Sequence, residues 1–242
     1  MRLNGTVTST IANFPVSHDV VRRVNDRIAE LSGLPTHWSE PLRGLHYSPG
    51  AYFRGHLDSH QHTHQRTSTR VATCLLYLND VGDGDGGETH FPFAVSATGV
   101  GESAPPACRG FESKDPSVQS AEALDAYEDG SELHSVQELL GEPRGALGVT
   151  VRPRKGRAVL WWNRDADGAL ALRSRHVGCP LLRGTKVVAT RWMHSQCEDA
   201  PLPLGADWRC REWVASGECA SNRVFMETSC KRSCGLCPPD PT

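Results

Sequence analysis

Apolar and polar residues follow two different periods along this chain of 242 residues. Residues 17–33, "SHDVVRRVNDRIAELSG", carry apolar side chains at helical spacing, which predicts an amphipathic helix capped by Ser17 and ended by Gly33. The apolar residues expected to form its buried stripe are Val20, Val21, Val24, Ile28 and Leu31. From Leu42 onward the pattern changes to short β-like runs: "LRGLHY", "TRVATCLLYL", "GVTVR", "RAVLWW" and "KVVATRWM".

These runs predict a mainly β protein with helical support near its N-terminus, either a β-sandwich or a jelly roll. "VATCLLYL" is apolar at both parities, which is typical of a strand buried on both faces. The segment from Phe93 to Gly148 is rich in Glu, Ser, Ala and Gly. It is expected to be an insertion between two strands, at about residues 94–147, partly helical and partly mobile.

The charge pattern excludes some classes of partner. The formal net charge is −2 with both signs mixed, so we expect no nucleic-acid partner. No apolar run approaches the roughly 20 residues that span a bilayer, and the first residues do not resemble a signal peptide. Membrane association is therefore expected only if an N-terminal anchor is missing from this sequence.

Six of the nine cysteines cluster near the C-terminus, at Cys197, Cys210, Cys219, Cys230, Cys234 and Cys237. This density predicts a small disulfide-rich module and an oxidising compartment. Six cysteines allow fifteen connectivities, and spacing alone does not choose among them. A zinc site is the weaker alternative, because the module lacks the histidines of mixed zinc sites. Since no signal peptide precedes this module, we expect the chain to be incomplete at its N-terminus.

The stretch "FRGHLDSHQHTHQ" suggests a metal site. His56 and Asp58 would project from the same face of a strand, because side chains alternate with period two. A second histidine from a distant strand would complete two imidazoles and a carboxylate, the arrangement of non-haem Fe(II) oxygenases. His60, His62 and His64 are competing candidates, and we interpret them as belonging to a solvated loop.

The distal part of such a site is found in "RSRHVGCPLLRGTKVVATRWMH". His176 lies ten residues before Lys186, and each adjoins an apolar, strand-like run. A lysine in an apolar pocket needs an anionic partner, because a buried unpaired charge is costly. A dicarboxylate co-substrate that chelates iron at its other end would be such a partner. An ordinary surface lysine at a strand start is the alternative if this segment is taken alone.

Five blocks in order, "HYSPGAYFRGHLD", "TRVATCLLYLNDV", "GGETHFP", "KGRAVLWW" and "RHVGCPLLRGTKVVATRWMH", resemble the catalytic domain of prolyl 4-hydroxylases of the plant and algal type. The resemblance implies a double-stranded β-helix (jelly roll) in residues 1–195. It also implies a dioxygenase that uses Fe(II), 2-oxoglutarate, O₂ and ascorbate. The expected reaction converts peptidyl proline to 4-hydroxyproline in a proline-rich or collagen-like polypeptide and releases succinate and CO₂.

The resemblance also assigns roles to individual residues. His56, Asp58 and His176 match the iron ligands, and Lys186 matches the lysine that binds 2-oxoglutarate. The residues matching positions that line the co-substrate pocket are Tyr47, Thr89 and Trp192, and those matching peptide contacts are Arg70 and His194. Relatives commonly have a tyrosine where this chain has Phe53, so a hydroxyl near the site is missing.

The cysteine-rich tail, residues 197–237, resembles the ShKT module. That resemblance implies the bridges Cys197–Cys237, Cys210–Cys230 and Cys219–Cys234. Cys74 is expected in the core and Cys179 in a structural role, whereas Cys108 has no predicted partner. Together with the cysteine content, the resemblance predicts the lumen of the endoplasmic reticulum or Golgi, or the secretory pathway more broadly.

Two other functions remain as alternatives. The first is a 2-oxoglutarate oxygenase with another substrate, such as lysine or a small molecule. The second is a non-catalytic binding protein in which an ShKT module is joined to a decayed oxygenase. The intact ligand positions and Lys186 argue against decay, while Phe53 keeps that alternative open.

Overall fold

Most of the regular structure in the described part of the chain is β-strand. The computed structural model describes residues 2–3, 6–7, 10–59, 70–109, 146–166, 168–195 and 208–236. The strands within these residues are β1 (Arg2–Leu3), β2 (Thr6–Val7), β3 (Thr10–Asn13), β4 (Arg43–Tyr47), β5 (Phe53–His56), β6 (Arg70–Tyr77), β7 (Thr89–Val95), β8 (Leu147–Val151), β9 (Ala158–Trp162), β10 (His176–Gly178) and β11 (Lys186–His194).

Two antiparallel sheets form the body. One has the strand order β5-β10-β7-β8, and the other has the order β3-β4-β11-β6-β9, while β1 and β2 pair separately. Neighbours in each sheet are mostly distant in sequence, so the chain crosses repeatedly between the sheets. The predicted mainly β, jelly-roll fold is confirmed. The central strand of the larger sheet is β11, which lies between β4 and β6.

Apolar side chains fill the space between the two sheets. The five-stranded sheet contributes Leu45, Tyr47, Leu75, Tyr77 and Val188 to this core. Phe91 of β7 meets Trp161 of β9 edge to face, with ring centroids 5.3 Å apart. Burying these side chains removes water from the side of the sheets on which the candidate site lies.

The predicted helix exists, but its N-cap and part of its buried stripe were predicted incorrectly. Helix α1 spans Asp19–Ser32, and the His18 ring, not Ser17, accepts from the Val20 N–H at 3.2 Å. Gly33 ends the helix in the left-handed region at φ 71°, as predicted. Val20 is 50% and Leu31 is 64% exposed.

Helix α1 covers the outer face of the five-stranded sheet. Val21 and Ile28 pack there against Ala72, Cys74 and Met193. Strand β6 is therefore buried on both faces, as its uninterrupted apolar pattern predicted. Asn25 and Ser32 complete the buried face of the helix, because positions i, i+4, i+7 and i+11 share one side.

Three short helices form the C-terminal module: α2 (Trp208–Ala215), α3 (Glu218–Ser221) and α4 (Arg223–Ser229). Disulfides join Cys210 to Cys230 and Cys219 to Cys234, which are two of the pairings that the resemblance implied. Cys197 and Cys237 lie outside the described residues. Cys210 and Cys230 pack with Met226 in a small core, since so short a chain needs covalent links to hold one.

The predicted insertion begins and ends in paired strands. Strand β7 continues to Val95 and β8 begins at Leu147, and most of the insertion, residues 110–145, lies outside the described residues, including the part expected to be helical. A short 3-10 turn, Pro106–Cys108, ends in a disulfide with Cys179 that the sequence did not assign. Cys74 is free and buried, as expected for a core residue.

None of the helices in the described part of the chain combines the length and the apolar character that a bilayer crossing requires.

Candidate metal centre

Three side chains from distant parts of the sequence meet at one edge of the smaller sheet. His56 ends β5 and His176 begins β10, and these two residues are direct partners across the antiparallel pair. Asp58 follows two residues after His56. One potential ligand atom from each of the three residues lies within 4.8 Å of the others. His56 Nε2 is 3.3 Å and His176 Nε2 is 3.8 Å from the Asp58 carboxylate.

Hydrogen bonds to the main chain set the tautomers of both histidines. His56 Nδ1 lies 2.8 Å from the Arg54 carbonyl oxygen, and His176 Nδ1 lies 2.9 Å from that of Ser174. A carbonyl can only accept, so each Nδ1 carries the proton and each Nε2 presents a lone pair. The arrangement leaves both Nε2 atoms ready to bind a metal, in the manner of a histidine oriented by its other nitrogen.

The charges at the site also suit a metal. Burial lowers the pKa of His176 to about 4, so its imidazole is neutral at pH 7. Burial alone would raise the pKa of Asp58, but the neighbouring His176 and His56 rings hold it well below its usual range. One neutral imidazole and one buried carboxylate, together with His56, are a donor set suited to Fe(II).

A short hydrogen-bonded chain fixes the orientation of Asp58. The Thr73 hydroxyl donates to Asp58 Oδ2 at 2.7 Å, and Asn163 Nδ2 donates to the Thr73 oxygen at 2.9 Å. All three side chains are buried. Thr73 and Asn163 were not predicted from the sequence. Thr73 acts on Asp58, 15 residues away, and Asn163 acts on Thr73, 90 residues away, so neither role shows in a local pattern.

Aromatic rings enclose the two histidines. The Phe53 ring centroid lies 4.1 Å from that of His56, and the Trp161 centroid lies 4.7 Å from that of His176. Phe53 faces Gly178 across the β5–β10 pair, where an added Cβ would come within 3.2 Å of the Phe53 Cβ. Glycine at this position therefore allows the close strand approach that brings Phe53 onto the ligand ring. The departure noted in the sequence places an apolar ring against an iron-ligand candidate.

Lys186 points into the interior between the sheets. It is 3% exposed, and its ammonium lies 4.9 Å from the Tyr47 ring centroid and 5.7 Å from that of Tyr77. Burial lowers the pKa of Lys186 to about 8, although the Glu88 carboxylate acts in the opposite direction. Among the described residues no carboxylate lies within ion-pair distance of this ammonium, and Glu88 acts on it only from farther away.

The residues predicted to line the co-substrate pocket surround this lysine in part. Tyr47 is the cross-strand partner of Lys186, and burial followed by the charges of Tyr77 and Asp58 raises the pKa of its phenol. Thr89 accepts a 2.7 Å hydrogen bond from the Tyr77 hydroxyl. Tyr47 therefore lies beside Lys186, and Thr89 is joined to the Tyr77 hydroxyl, whose ring also lies beside the lysine.

The two residues predicted to contact a peptide are held by one carboxylate. Arg70 Nε and Nη2 donate to the two oxygens of Glu40 at 2.5 and 3.1 Å, and His194 Nε2 lies 3.2 Å from Glu40 Oε1. Glu40 is 3% exposed. Trp192 lies under the Arg70 guanidinium, with its ring centroid 4.5 Å from Cζ. Glu40 was not predicted from the sequence, since nothing around it marks a carboxylate that will be buried.

Two sequence features do not contribute to the described site. His60, His62 and His64 lie outside the described residues. The stretch "GDGDGGE", residues 82–88, contains a turn, and its aspartates make ion pairs, Asp83 with Arg154 and Asp85 with Arg183, both at 2.7 Å. These carboxylates are therefore neutralised by arginines.

Comparison with known proteins identifies two families. The model of the 2OG-Fe(II) oxygenase superfamily matches residues 42–194, a range that includes His56, Asp58, His176 and Lys186. An "ShK domain-like" model matches residues 206–237, which include α2, α3 and α4.

Plant proteins are among the similar curated sequences. Probable prolyl 4-hydroxylase 6 of Arabidopsis thaliana is 30% identical over 229 residues, which cover 90% of this chain and 67% of the relative. Prolyl 4-hydroxylase 2 of the same plant is 29% identical over 231 residues, which cover 90% and 66%. The chain thus spans about two thirds of the length of these relatives. A solved structure, the viral collagen prolyl hydroxylase vCPH of Paramecium Bursaria Chlorella virus-1 with 2OG, matches with a TM-score of 0.48 at 20% identity, covering 77% of this chain and 79% of that one.

Proposed function

Because the chain belongs to the 2OG-Fe(II) oxygenase superfamily, we propose that it hydroxylates peptidyl proline to 4-hydroxyproline, consuming 2-oxoglutarate and O₂ and releasing succinate and CO₂. The observation that carries this proposal is the meeting of His56, Asp58 and His176 on the side of the sheets where Lys186 is buried without an ion-pair partner among the described residues. The plant prolyl 4-hydroxylases that the chain resembles support proline as the target.

The protein's own groups bind and orient. His56, Asp58 and His176 would hold Fe(II), which together with 2-oxoglutarate supplies the oxidising chemistry when both are bound. Lys186 is the group suited to the far carboxylate of 2-oxoglutarate, since a dicarboxylate would give this buried ammonium its missing counter-charge. Tyr47 and Thr89 flank that position from β4 and β7.

The surrounding side chains exclude water and hold the peptide. Phe53, Phe91 and Trp161 pack against the two histidines, which restricts solvent at the reacting centre. Arg70 and His194 would contact the peptide, with their orientation set by Glu40. Trp192 would line the co-substrate side of the site. A proline-rich or collagen-like segment suits this role, because a polyproline II helix is extended before it binds.

The proposal extends to a reductant and a compartment. Ascorbate would return oxidised iron to Fe(II) between turnovers. The disulfides Cys108–Cys179, Cys210–Cys230 and Cys219–Cys234 support an oxidising compartment such as the lumen of the endoplasmic reticulum or Golgi. Residues 1–195 would form the oxygenase domain and residues 197–237 the ShK-like domain.

The deciding experiment follows 2-oxoglutarate turnover with Fe(II), ascorbate and a proline-rich peptide, measuring succinate and the mass of the peptide. The expected result is one added oxygen for each modified proline. Fragmentation and amino-acid analysis would identify trans-4-hydroxyproline. Activity should be lost in His56→Ala, which removes a ligand, and in Lys186→Ala, which removes the co-substrate's counter-charge.

The control is His62→Ala, which changes a histidine of the same stretch and should retain wild-type activity. Succinate release without oxidation of proline-rich or collagen-like peptides would retain the oxygenase and reject proline as its target. Bound iron with no 2-oxoglutarate turnover at all would reject the catalytic function.

A further inference from the structure

The C-terminal module touches the oxygenase domain through a lysine. The Lys231 ammonium donates to the main-chain carbonyls of His37 and Ser39 at 3.2 and 3.1 Å. Lys231 follows Cys230 directly and precedes Cys234 by three residues, and both cysteines are in disulfides. The ammonium is thus supported from a cross-linked frame, so its position is fixed more firmly than that of an ordinary surface lysine.

The segment that Lys231 binds, residues 36–40, is also attached to the centre of the larger sheet. We call these residues the clamp segment. Arg191 Nη2 donates to the Thr36 carbonyl at 2.8 Å, and the Glu40 N–H donates to the Trp192 carbonyl at 2.9 Å. The clamp segment therefore lies between the module on one side and β11 on the other.

The clamp segment ends in the carboxylate that orients the candidate peptide-binding side chains. Glu40 accepts both hydrogen bonds from Arg70 and lies within hydrogen-bond distance of His194. A shift of the segment would move this carboxylate relative to β6 and β11, because the two arms of the Arg70 guanidinium demand one fixed geometry. Contacts on the main chain at His37 and Ser39 restrain the residues that immediately precede it.

We propose that the C-terminal module contributes to peptide binding by the oxygenase. Lys231 is the positioning residue: its ammonium holds the clamp segment and thereby the Glu40 carboxylate, which sets the orientation of Arg70 and His194. The inference rests on the proposed function, in which Arg70 and His194 contact the peptide. Among the described residues Lys231 itself contacts neither the candidate metal ligands nor Lys186; Arg70 is the one member of this arrangement that also donates to a ligand residue, at the main-chain carbonyl of Asp58 and 3.4 Å away.

The kinetic test uses the full chain with Lys231→Met, which keeps the length of the side chain and removes its charge and donors. The matched control is Arg232→Met, which removes the charge of the exposed neighbouring residue. KM for the peptide should rise about fivefold or more in Lys231→Met, while kcat and KM for 2-oxoglutarate change less than about twofold. Lys231→Arg, which retains a cationic donor, should recover most of the peptide affinity.

Hydrogen exchange of the same variants tests the docking without any turnover. Amides of residues 36–40 should exchange at least about threefold faster in Lys231→Met than in Arg232→Met, because the segment loses both hydrogen bonds from the C-terminal module and keeps only those to the larger sheet. Non-reducing mass analysis of each variant establishes that the disulfides have formed.

The outcomes separate the two proposals. Unchanged exchange at residues 36–40 overturns the inference whatever the kinetics show, and faster exchange with unchanged peptide KM overturns the positioning role. If the wild-type chain releases succinate but oxidises no proline peptide, the proposed function fails. In that case hydrogen exchange at residues 36–40 and around Arg70, compared between Lys231→Met and Arg232→Met, is the measurement that decides whether Lys231 positions the clamp segment.

Discussion

At the scale of single residues, Lys186 has the most direct chemical consequence. Its ammonium is buried beside two tyrosine rings, and burial lowers its pKa to about 8. Only the protonated form can pair with a carboxylate. The affinity for 2-oxoglutarate should therefore be constant at pH values below about 8 and decrease as the pH rises above that value. The dissociation constant of 2-oxoglutarate, measured from pH 6 to 9.5 on the metal-loaded protein, should rise about tenfold for each pH unit above about 8.

The control for this pH dependence is Lys186→Arg. A guanidinium stays protonated throughout the range, so the affinity of this variant, whatever its absolute value, should be flat above pH 8. The same alkaline loss in Lys186→Arg would assign it to another group and contradict the role given to the lysine.

Local residue patterns predicted some residues of the candidate site and not others. His56 and Asp58 could be paired from the sequence, because a spacing of two has a local geometric meaning on an extended chain. His176 and Lys186 adjoin strand-like runs, which local patterns also reveal. Glu40 and Thr73 could not be found this way, since each acts through a partner at least fifteen residues away and neither has a distinctive local pattern.

At the scale of elements, β10 is a three-residue strand that carries His176, and a covalent bond secures the chain just beyond it. Cys179 follows the strand and joins Cys108, with 71 residues of sequence separation. Closing a loop of this length stabilises the folded state by about 4 kcal/mol in the chain-entropy model. The double variant Cys108→Ala/Cys179→Ala should therefore melt about 10 °C lower in calorimetry.

The same variant should bind Fe(II) more weakly, because β10 then loses its anchor next to a ligand. Cys74→Ala is the matched control, since it removes a buried free thiol without breaking a cross-link. Its melting temperature should fall by much less, and its iron affinity should stay that of the wild type. Equal losses in the two variants would mean that packing, and not the disulfide, supports β10.

Elements were predicted well where burial depends on one pattern and poorly where a distant contact decides. The existence of the helix and the burial of β6 on both faces followed from their apolar spacing. The helix packs on the outer face of the larger sheet, to which β6 belongs, although Val20 and Leu31 of its predicted stripe are exposed. The cap of α1 was misassigned because Ser17 and His18 are both able to cap, and only the backbone conformation at His18 selects between them. The partner of Cys108 depends on where the 3-10 turn Pro106–Cys108 lies relative to the end of β10, which no local pattern encodes.

At the scale of the whole molecule, Glu40 connects parts of the chain that are far apart in sequence, β6 through Arg70 and the end of β11 through His194. Burial would raise the pKa of Glu40, but Arg70 and His194 outweigh it and lower that pKa from 4.5 to about 2. A carboxyl whose pKa is lower in the folded state adds stability above its unfolded pKa, and the contribution is lost as the pH falls through the folded pKa. The shift corresponds to about 3 kcal/mol of unfolding free energy, present above pH 4.5 and lost towards pH 2.

Glu40→Gln should therefore destabilise the protein at pH 7 by about 3 kcal/mol, because it removes the carboxylate whose pKa is lowered and with it the ion pair to Arg70. Urea unfolding at pH 7, 5 and 3 would measure this difference. The difference should persist at pH 5 and shrink at pH 3, because the Glu40 carboxyl of the unfolded wild type is by then mostly protonated while the folded protein still holds it ionised. Glu30→Gln, an exposed change on α1, should alter stability by less than about 0.5 kcal/mol at each pH. A difference between wild type and Glu40→Gln that stays constant from pH 7 to 3 would show that the loss of stability does not depend on the ionisation of Glu40, and it would contradict the ion pair with Arg70 as its cause.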